Sequence, residues 1–431
     1  MASLRWWQDL TAGGTTMSTA LGQNIRKYRK LRQLTVRALA DRVAISVSAL
    51  EKYERGDRVP PPAVVTQLAR VLHVGPDRLH GQPWAAEPAD GELSVVPELR
   101  RILLTYDTPD AAVLEPRPLE VLTAEMDQVA RMRQDGQYVQ LAPLLPGLLT
   151  ELTHLALGGT PAVARDRRAL PQPQARAFRQ LAVGYRAANS LAHKLGYHDL
   201  SYTACERVHW AADRSGDPLM QATAAYLRAG AMIRMGALGS ARTVLEGLAD
   251  EVERMAPELS LSPEHQAVMG AVLLKLAVVE ARDGQPDRAM ERLAEAGTWA
   301  EALRVDTTHY EMSFGPANVR IHEVAILSDT GDTEQALARL REWGGEQGVD
   351  EWELPDGLAA ERASHHHIDV AAARLAEGDR AGAHRSLLEA RRIAPMHTRH
   401  HPTVRATAGA LVRLDRGAHD SVAGLARWAG V

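Results

Sequence analysis

Residues 21–79 read LGQNIRKYRKLRQLTVRALADRVAISVSALEKYERGDRVPPPAVVTQLARVLHVGPDRL, and the spacing of apolar residues within this stretch decides how the chain begins. Leu21, Ile25, Tyr28 and Leu31 recur at helical intervals and predict a first helix from Thr19 to Arg32. Thr35 then offers a hydroxyl to the first turn of a second helix, Val36 to Val43, whose inward face carries Leu39, Ala40 and Val43. A turn at Ala44–Ile45 follows. Ser46 caps a third helix, Val47 to Arg55, and Gly56 ends it, because glycine alone takes the left-handed conformation without steric cost. Two short helices joined by a tight turn can lay the second across the major groove of DNA, its first turn facing base edges.

The rest of the chain points to helix as well. Ala and Leu dominate the 431 residues, only two Phe occur, and alternating β-branched runs are scarce, so the fold class expected is all-α. A single Cys, Cys205, excludes an internal disulfide framework and fits a reducing compartment. Residues 1–16, MASLRWWQDLTAGGTT, lack a signal-peptide pattern and read as a disordered leader, with Met17 as an alternative start. The longest apolar run, Ala267 to Val279, is interrupted by Lys275 and is too short to span a bilayer, so a cytoplasmic protein without a membrane partner is expected. The net charge of −4 hides an asymmetry. From Met17 to His80 twelve Lys/Arg stand against five Asp/Glu, a net of +7, and residues 1–16 are neutral, so the remainder carries −11. A basic head on an acidic body is the balance of a nucleic-acid-binding module attached to a domain with another task.

On the residues quoted above, the chain resembles the lambda-repressor-like, xenobiotic-response-element (XRE) family of helix-turn-helix regulators. The likeness spans the family's five-helix domain, placed here at residues 17–80, and includes Glu54, Arg55, Gly56 and Pro60 with the closing helix before Val74. It implies that Val47, Ser48, Glu51 and Lys52 face or adjoin base edges. It also implies that Arg26, Thr35, Val36, Arg55 and Arg58 lie at phosphates, and that Arg29 and Glu54 form a structural ion pair. Two positions depart from the family. Val36 replaces a Gln able to bond both phosphate and base, and can only pack or touch a thymine methyl. Ala44 replaces a turn Gly, at a cost of about 1 kcal/mol if a left-handed backbone is required there.

Gly81 to Val96, rich in Pro, Gly and acidic residues, reads as a linker. Beyond it, residues 97–431 show a repeat when aligned on Gly236, Gly284, Gly331 and Gly378, which are spaced 48, 47 and 47 residues apart. Five residues after each stands an Ala (Ala241, Ala289, Ala336, Ala383), and nine after each a Leu (Leu245, Leu293, Leu340, Leu387). Gly136 and Gly196 fit more loosely, and Gly417 opens a last, degenerate unit. The expected unit is a helical hairpin: Gly permits the reversal, Ala permits close approach, and Leu buries against the next unit. Stacked units make a right-handed α-solenoid that resembles tetratricopeptide repeats with lengthened helices. A head of this type on such a body resembles peptide-sensing quorum receptors of Gram-positive bacteria and, more closely, large actinobacterial XRE regulators. The second likeness rests on Phe314 to Ile326 and Arg399 to Val412.

A solenoid's concave face is lined by the first helix of each hairpin, so polar residues there are candidates for ligand contact. Asn189 with His193, and Asn318 with His322, are pairs at i,i+4 on such helices; an Asn amide can bond a peptide backbone in both directions. Tyr185, Arg228, Phe314 and Arg320 are placed on the same surface. The competing reading makes these side chains bridges between neighbouring helices. His365, His366, His367 and His397, His400, His401 raise the question of a metal. Three successive helix positions point about 100° apart and cannot share one ion, and no Cys or HExxH spacing accompanies them, so neither metal nor other cofactor is expected. No phosphate loop, nucleophile elbow or catalytic Cys occurs, and an enzyme is not expected.

The function that these readings imply is a transcriptional regulator that binds double-stranded DNA as a homodimer and senses a peptide or small-molecule effector in the solenoid. Two alternatives stay open: a DNA-tethered adaptor whose solenoid binds a partner protein, and a scaffold whose head no longer binds DNA.

Overall fold

In a computed structural model, residues 20–81, 95–108, 110, 115–158, 170–255, 262–414 and 420–431 are described. The expected leader, Met17, most of the linker and Gly417 lie outside the described residues.

The head consists of α1 (Ala20–Leu31), α2 (Val36–Val43), α3 (Val47–Arg55), α4 (Pro62–Leu72) and α5 (Pro76–His80). Thr35 Oγ1 accepts a hydrogen bond from the Ala38 amide and Ser46 Oγ from the Ala49 amide, each at 3.1 Å. Each satisfies a helix-start N–H that would otherwise lack a partner. Gly56 ends α3 with φ 76° and Ala44 ends α2 with φ 56°, so the alanine does occupy a left-handed position that glycine would hold without strain. Ile25, Leu39, Leu50, Leu68, Leu72 and Leu79 are buried together in the core. α1 and α3 approach so closely that a Cβ at Gly22 would lie 2.5 Å from the Tyr53 carbonyl oxygen. Beside this contact Arg29 Nε and Nη2 donate to the two Glu54 carboxylate oxygens at 2.5 and 2.8 Å, and Nη1 donates to the Leu34 carbonyl at 3.0 Å.

The body opens with α6 (Val96–Leu104), α7 (Leu119–Gln134), α8 (Tyr138–Leu141) and α9 (Leu145–Leu157). Val95 and Val96, expected as the end of the linker, are already buried in the body's core, because an apolar Val–Val pair gains more from burial than a linker requires. Five hairpins follow: α10 (Gln172–Lys194) with α11 (His198–Ser215), α12 (Pro218–Met235) with α13 (Leu238–Arg254), α14 (Pro263–Arg282) with α15 (Pro286–Leu303), α16 (Pro316–Thr330) with α17 (Thr333–Gln347), and α18 (Ala360–Ala376) with α19 (Arg380–Ile393). α20 (Pro395–Arg399), α21 (Pro402–Leu414) and α22 (Asp420–Ala429) close the stack. Each of the four aligned glycines has φ between 77° and 89°. The Ala five positions on and the Leu nine positions on are buried in every unit. The looser units obey the same rule, burying Leu141 and Leu145 after Gly136, and Ser201 and Cys205 after Gly196. The architecture is thus a helix-turn-helix head on a tetratricopeptide-like α-solenoid.

One element lies outside the helical pattern. β1 (Thr307–His309) and β2 (Met312–Phe314) form an antiparallel hairpin ahead of α16. Its tip, Tyr310–Glu311, has positive φ at both residues and reaches over to the first repeats. Arg186 donates to the Tyr310 and Glu311 carbonyls at 2.9 and 2.7 Å, Arg133 to the Glu311 carboxylate at 2.7 Å, and the Tyr310 hydroxyl to Asp217 at 3.0 Å. The hairpin therefore straps distant units of the solenoid together.

The head rests on the turn ends of the hairpins. A Cβ at Gly236 would lie 3.7 Å from Pro76, one at Gly284 4.0 Å from Gln67, and one at Gly331 3.8 Å from Pro61. From the far end of the body Arg413 donates to the Gly56 carbonyl, Nε at 3.0 Å and Nη2 as well, gripping the residue that terminates α3. Because the Arg29–Glu54 pair is buried, removing one partner strands the other charge; Glu54→Ala will destabilise the head by about 3–5 kcal/mol. The double substitution Arg29→Met with Glu54→Leu will cost less than either single change, as read by chemical denaturation. Equal and additive losses would show that the pair is not coupled.

Candidate nucleic-acid interface and inner cavity

On α3 the expected base-facing residues divide by burial. Ser48, Glu51 and Lys52 are exposed, whereas Val47 is half-buried against the head's core. Leu50, Tyr53 and Glu54 form the buried side of the same helix. Around this face Arg26 and Thr35 are exposed; the Thr35 oxygen is engaged as a cap, which leaves its hydroxyl proton to donate. Val36 is half-buried against the same core and offers only apolar surface. Arg55 donates to Asp57 at 2.7 Å, an exposed pair worth little and readily exchanged for a phosphate. The Arg58 guanidinium lies 6.0 Å from the Tyr53 ring centre. This face of α3 stays exposed while the head meets the body through the Pro60–Pro62 loop, α4, α5 and, at the end of α3, Gly56.

Between head and body lies a cavity of about 590 Å³, lined by α10, α12, α14, α16 and α18, the first helix of each hairpin. The head contributes Pro60 to Pro62, Pro76, Asp77 and His80 to its wall. Of the eight residues expected at a ligand surface, Asn189, His193, Asn318 and His322 line it and the other four do not. Tyr185 is buried in the core formed with α9, and Phe314 packs onto Gly270, where any Cβ would collide with the ring. Arg320 sits midway between the cavity-lining Asn318 and His322, and Arg228, though it follows the lining Leu227, midway between Tyr226 and Gly230, a rotation of about 200° from each that sends them to the opposite face. There Arg228 lies 3.9 Å from Glu206, while Arg320 stacks on Trp343 and pairs with Glu346 at 2.7 Å.

The cavity asparagines also bridge neighbouring segments. Asn189 Nδ2 donates to the Ser201 carbonyl and hydroxyl at 2.7 and 2.9 Å. Asn318 Nδ2 donates to the Ser313 carbonyl at 2.5 Å, while its Oδ1 is buried without a partner among the described residues. His322 Nδ1 lies 2.8 Å from the Asn318 carbonyl, which can only accept, so the ring carries its proton on Nδ1. The cavity also holds charges that the sequence reading passed over: Arg186, Lys194, Arg234, Lys275 and Glu361. Lys275 had left a signal, as the one charge inside a long apolar run.

His365, from the first triplet, meets His397 and His401, from the second, with ring nitrogens within 4.8 Å of one another. Weighing the triplets separately hid this grouping. His366 points instead to Trp352, 5.5 Å between ring centres. Among the described residues, these three rings are the set that could hold a metal. The local field opposes a cation, since the Lys194 ammonium lies 2.7 Å from His397 Nδ1 and 2.8 Å from Glu361, and Arg362 bears on His365 as well.

Burial holds the histidines that line the cavity neutral, and His366 behind them as well. Desolvation lowers His322 and His366 to about 3, and His80, His397 and His400 to about 4, helped by nearby cations. The unfolded chain binds those protons near the ordinary value of about 6.5, so between that pH and about 4 it takes up protons that the folded state refuses, and stability falls with pH. Asp369, pushed up to about 8 by burial and Asp329, and Glu323, pushed up by burial, act in the opposite sense but are outnumbered by the histidines. The melting temperature of the full chain will decline between pH 7 and pH 4.5, and His366→Phe will flatten the decline. A flat profile in the parent chain would contradict neutral burial.

A helix-turn-helix domain family matches residues 20–80. The uncharacterized HTH-type transcriptional regulator YazB of Bacillus subtilis (strain 168) is 41% identical over 58 residues, 14% of this chain and 84% of that protein. Among solved structures, Bacillus thuringiensis PlcR in complex with the peptide PapR7 and DNA aligns over 88% of this chain and 97% of its own, with 13% identity and a TM-score of 0.32. That likeness is too remote to bear on function.

Proposed function

This chain belongs to the helix-turn-helix transcriptional regulators, and from that premise we propose that α3 enters the major groove of an operator while the inner cavity receives an effector that sets DNA affinity. The observation that carries the first part is the exposed face of α3, with Ser48, Glu51 and Lys52 turned outward from a rigid, capped and ion-paired frame. In this reading Lys52 and Ser48 contact base edges with Glu51 beside them, and Val47 offers apolar contact to a thymine methyl. Arg26, Thr35, Arg55 and Arg58 hold phosphates, with Val36 packed at the backbone. Two heads of a homodimer would bind half-sites about 34–36 Å apart. Shape and deformability of the DNA supply part of the specificity, since two of the expected readers are valines.

The second part is supported by the cavity's size, within the range of about 300–1,000 Å³ usual for small-ligand sites. It is supported also by the head forming part of the wall. A peptide or metabolite there touches both domains, which gives occupancy a direct route to the position of α3.

Retention of genomic DNA fragments at two salt concentrations tests the DNA reading. Lys52→Ala will cost about 1–3 kcal/mol at specific fragments and relax their ranking. Arg26→Ala and Arg58→Ala will weaken all fragments alike and each reduce the salt slope by about one. Retention unchanged by all three substitutions would refute the assignment of this face.

A further inference from the structure

The cavity does not pair its cations evenly. Arg133 is held by Glu311 at 2.7 Å, Lys194 by Glu361 at 2.8 Å and Arg282 by Asp329 at 2.8 Å. Arg186 bonds two carbonyls of the strap. Arg234, on α12, has buried Nε and Nη2 atoms with no hydrogen-bond partner among the described residues. Lys275, on α14, bonds the Tyr226 carbonyl at 3.2 Å and lies over the same residue's ring. The two cations converge on one glycine: a Cβ at Gly230 would lie 3.0 Å from the Lys275 ammonium and 3.6 Å from Arg234 Nη1. The two charges acting most strongly on Lys275 are Arg234 and Arg186, both positive, followed by the Cys205 thiol and Arg362, and no carboxylate is among those acting on Arg234.

Like charges brought together out of water repel, and each also forfeits hydration. A fold that pairs three neighbours and leaves these two has either a large uncompensated cost or a missing anion. The geometry favours the anion. Nε and Nη2 form one edge of the guanidinium, two parallel donors that match two oxygens of a carboxylate or phosphate. Burial and the neighbouring cations push the Lys275 amine well below its ordinary value, so an anion there restores its charge beside that fork, and Gly230 lacks the side chain that would crowd both groups.

We propose that Arg234 and Lys275, over Gly230, form an anion subsite that receives a carboxylate or phosphate group of the molecule held in the cavity. The proposal rests on reading the cavity as an effector site, and it adds the chemical class of that effector: an acidic molecule. The His365, His397 and His401 cluster does not compete as a cation site, because Lys194 and Arg362 place it in the same positive field.

Isothermal titration of the full chain with inorganic phosphate and, in a separate arm, with succinate, at ionic strength held constant by chloride, tests this and separates the two anion types. One arm or both will saturate. Arg234→Gln and Lys275→Met will each weaken that binding about tenfold or more. Gly230→Ala will weaken it as well, and a melting temperature at or above the parent's, as the helix preference of Ala over Gly by about 1 kcal/mol predicts, will separate that loss from unfolding. Saturation by neither anion, or equal binding by the three variants, overturns the subsite. If phosphate or succinate binds at this site but DNA retention is unchanged, the subsite stands and the effector reading falls. If a neutral or cationic molecule co-purifies with the chain and stays bound to Arg234→Gln, the effector reading stands and the anion subsite falls.

Discussion

Docking of the head on the hairpin turns is the contact on which the other properties of this protein depend. Pro76, Gln67 and Pro61 lie against Gly236, Gly284 and Gly331, three successive turn glycines, and Arg413 reaches the carbonyl that ends α3. The turn glycines thereby serve two ends. They allow the reversal between helices, and their lack of a side chain leaves a low edge on which the head can sit. Through this contact a concave groove becomes a cavity bounded by two domains, and α3 becomes mechanically continuous with it.

Closure has an electrostatic consequence. The first helices of the hairpins turn Arg, Lys, His and carboxylates inward, and the head removes much of their water. The structure answers with ion pairs, with carbonyls of the β1–β2 strap directed at Arg186, and with histidines held neutral. What is left after those pairings, the cations beside Gly230, is the part of the cavity most disposed to take something from outside. The acidic surplus of the body, noted in the sequence, says nothing of this, because net charge averages over an outer surface that the cavity never meets.

Local signals in the sequence were sufficient for the framework. The caps Thr35 and Ser46, the terminating Gly56 and the Gly–Ala–Leu spacing each act within one or two helical turns, and the helices of the head begin and end almost where those residues place them. The site was less legible. Placing Tyr185 and Arg228 in a groove required knowing which side of each helix faces inward, and a solenoid helix is covered on several sides at once. Arg228 and Arg320 fail by a half-turn of helix, Tyr185 because its own helix is also packed on α9. The strap was missed because three-residue strands leave almost no period to read. Arg234 with Lys275, and His365 with His397, are partners only after one hairpin has stacked on the element that follows it. Apart from Lys275, the one charge in a long apolar run, nothing local distinguishes them from solvated side chains.

The most direct test of the account is the distance between head and body in the full chain. With Cys205→Ala as background, spin labels at Arg42→Cys on α2 and Asp250→Cys on α13, both exposed positions, report it by pulsed dipolar spectroscopy. A docked head predicts one narrow distance population in the free protein, broadened when Arg413→Ala is added. A broad distribution in the parent chain, unaffected by Arg413→Ala, would mean that the head is merely tethered, and the shared wall between cavity and reading helix would be lost with it.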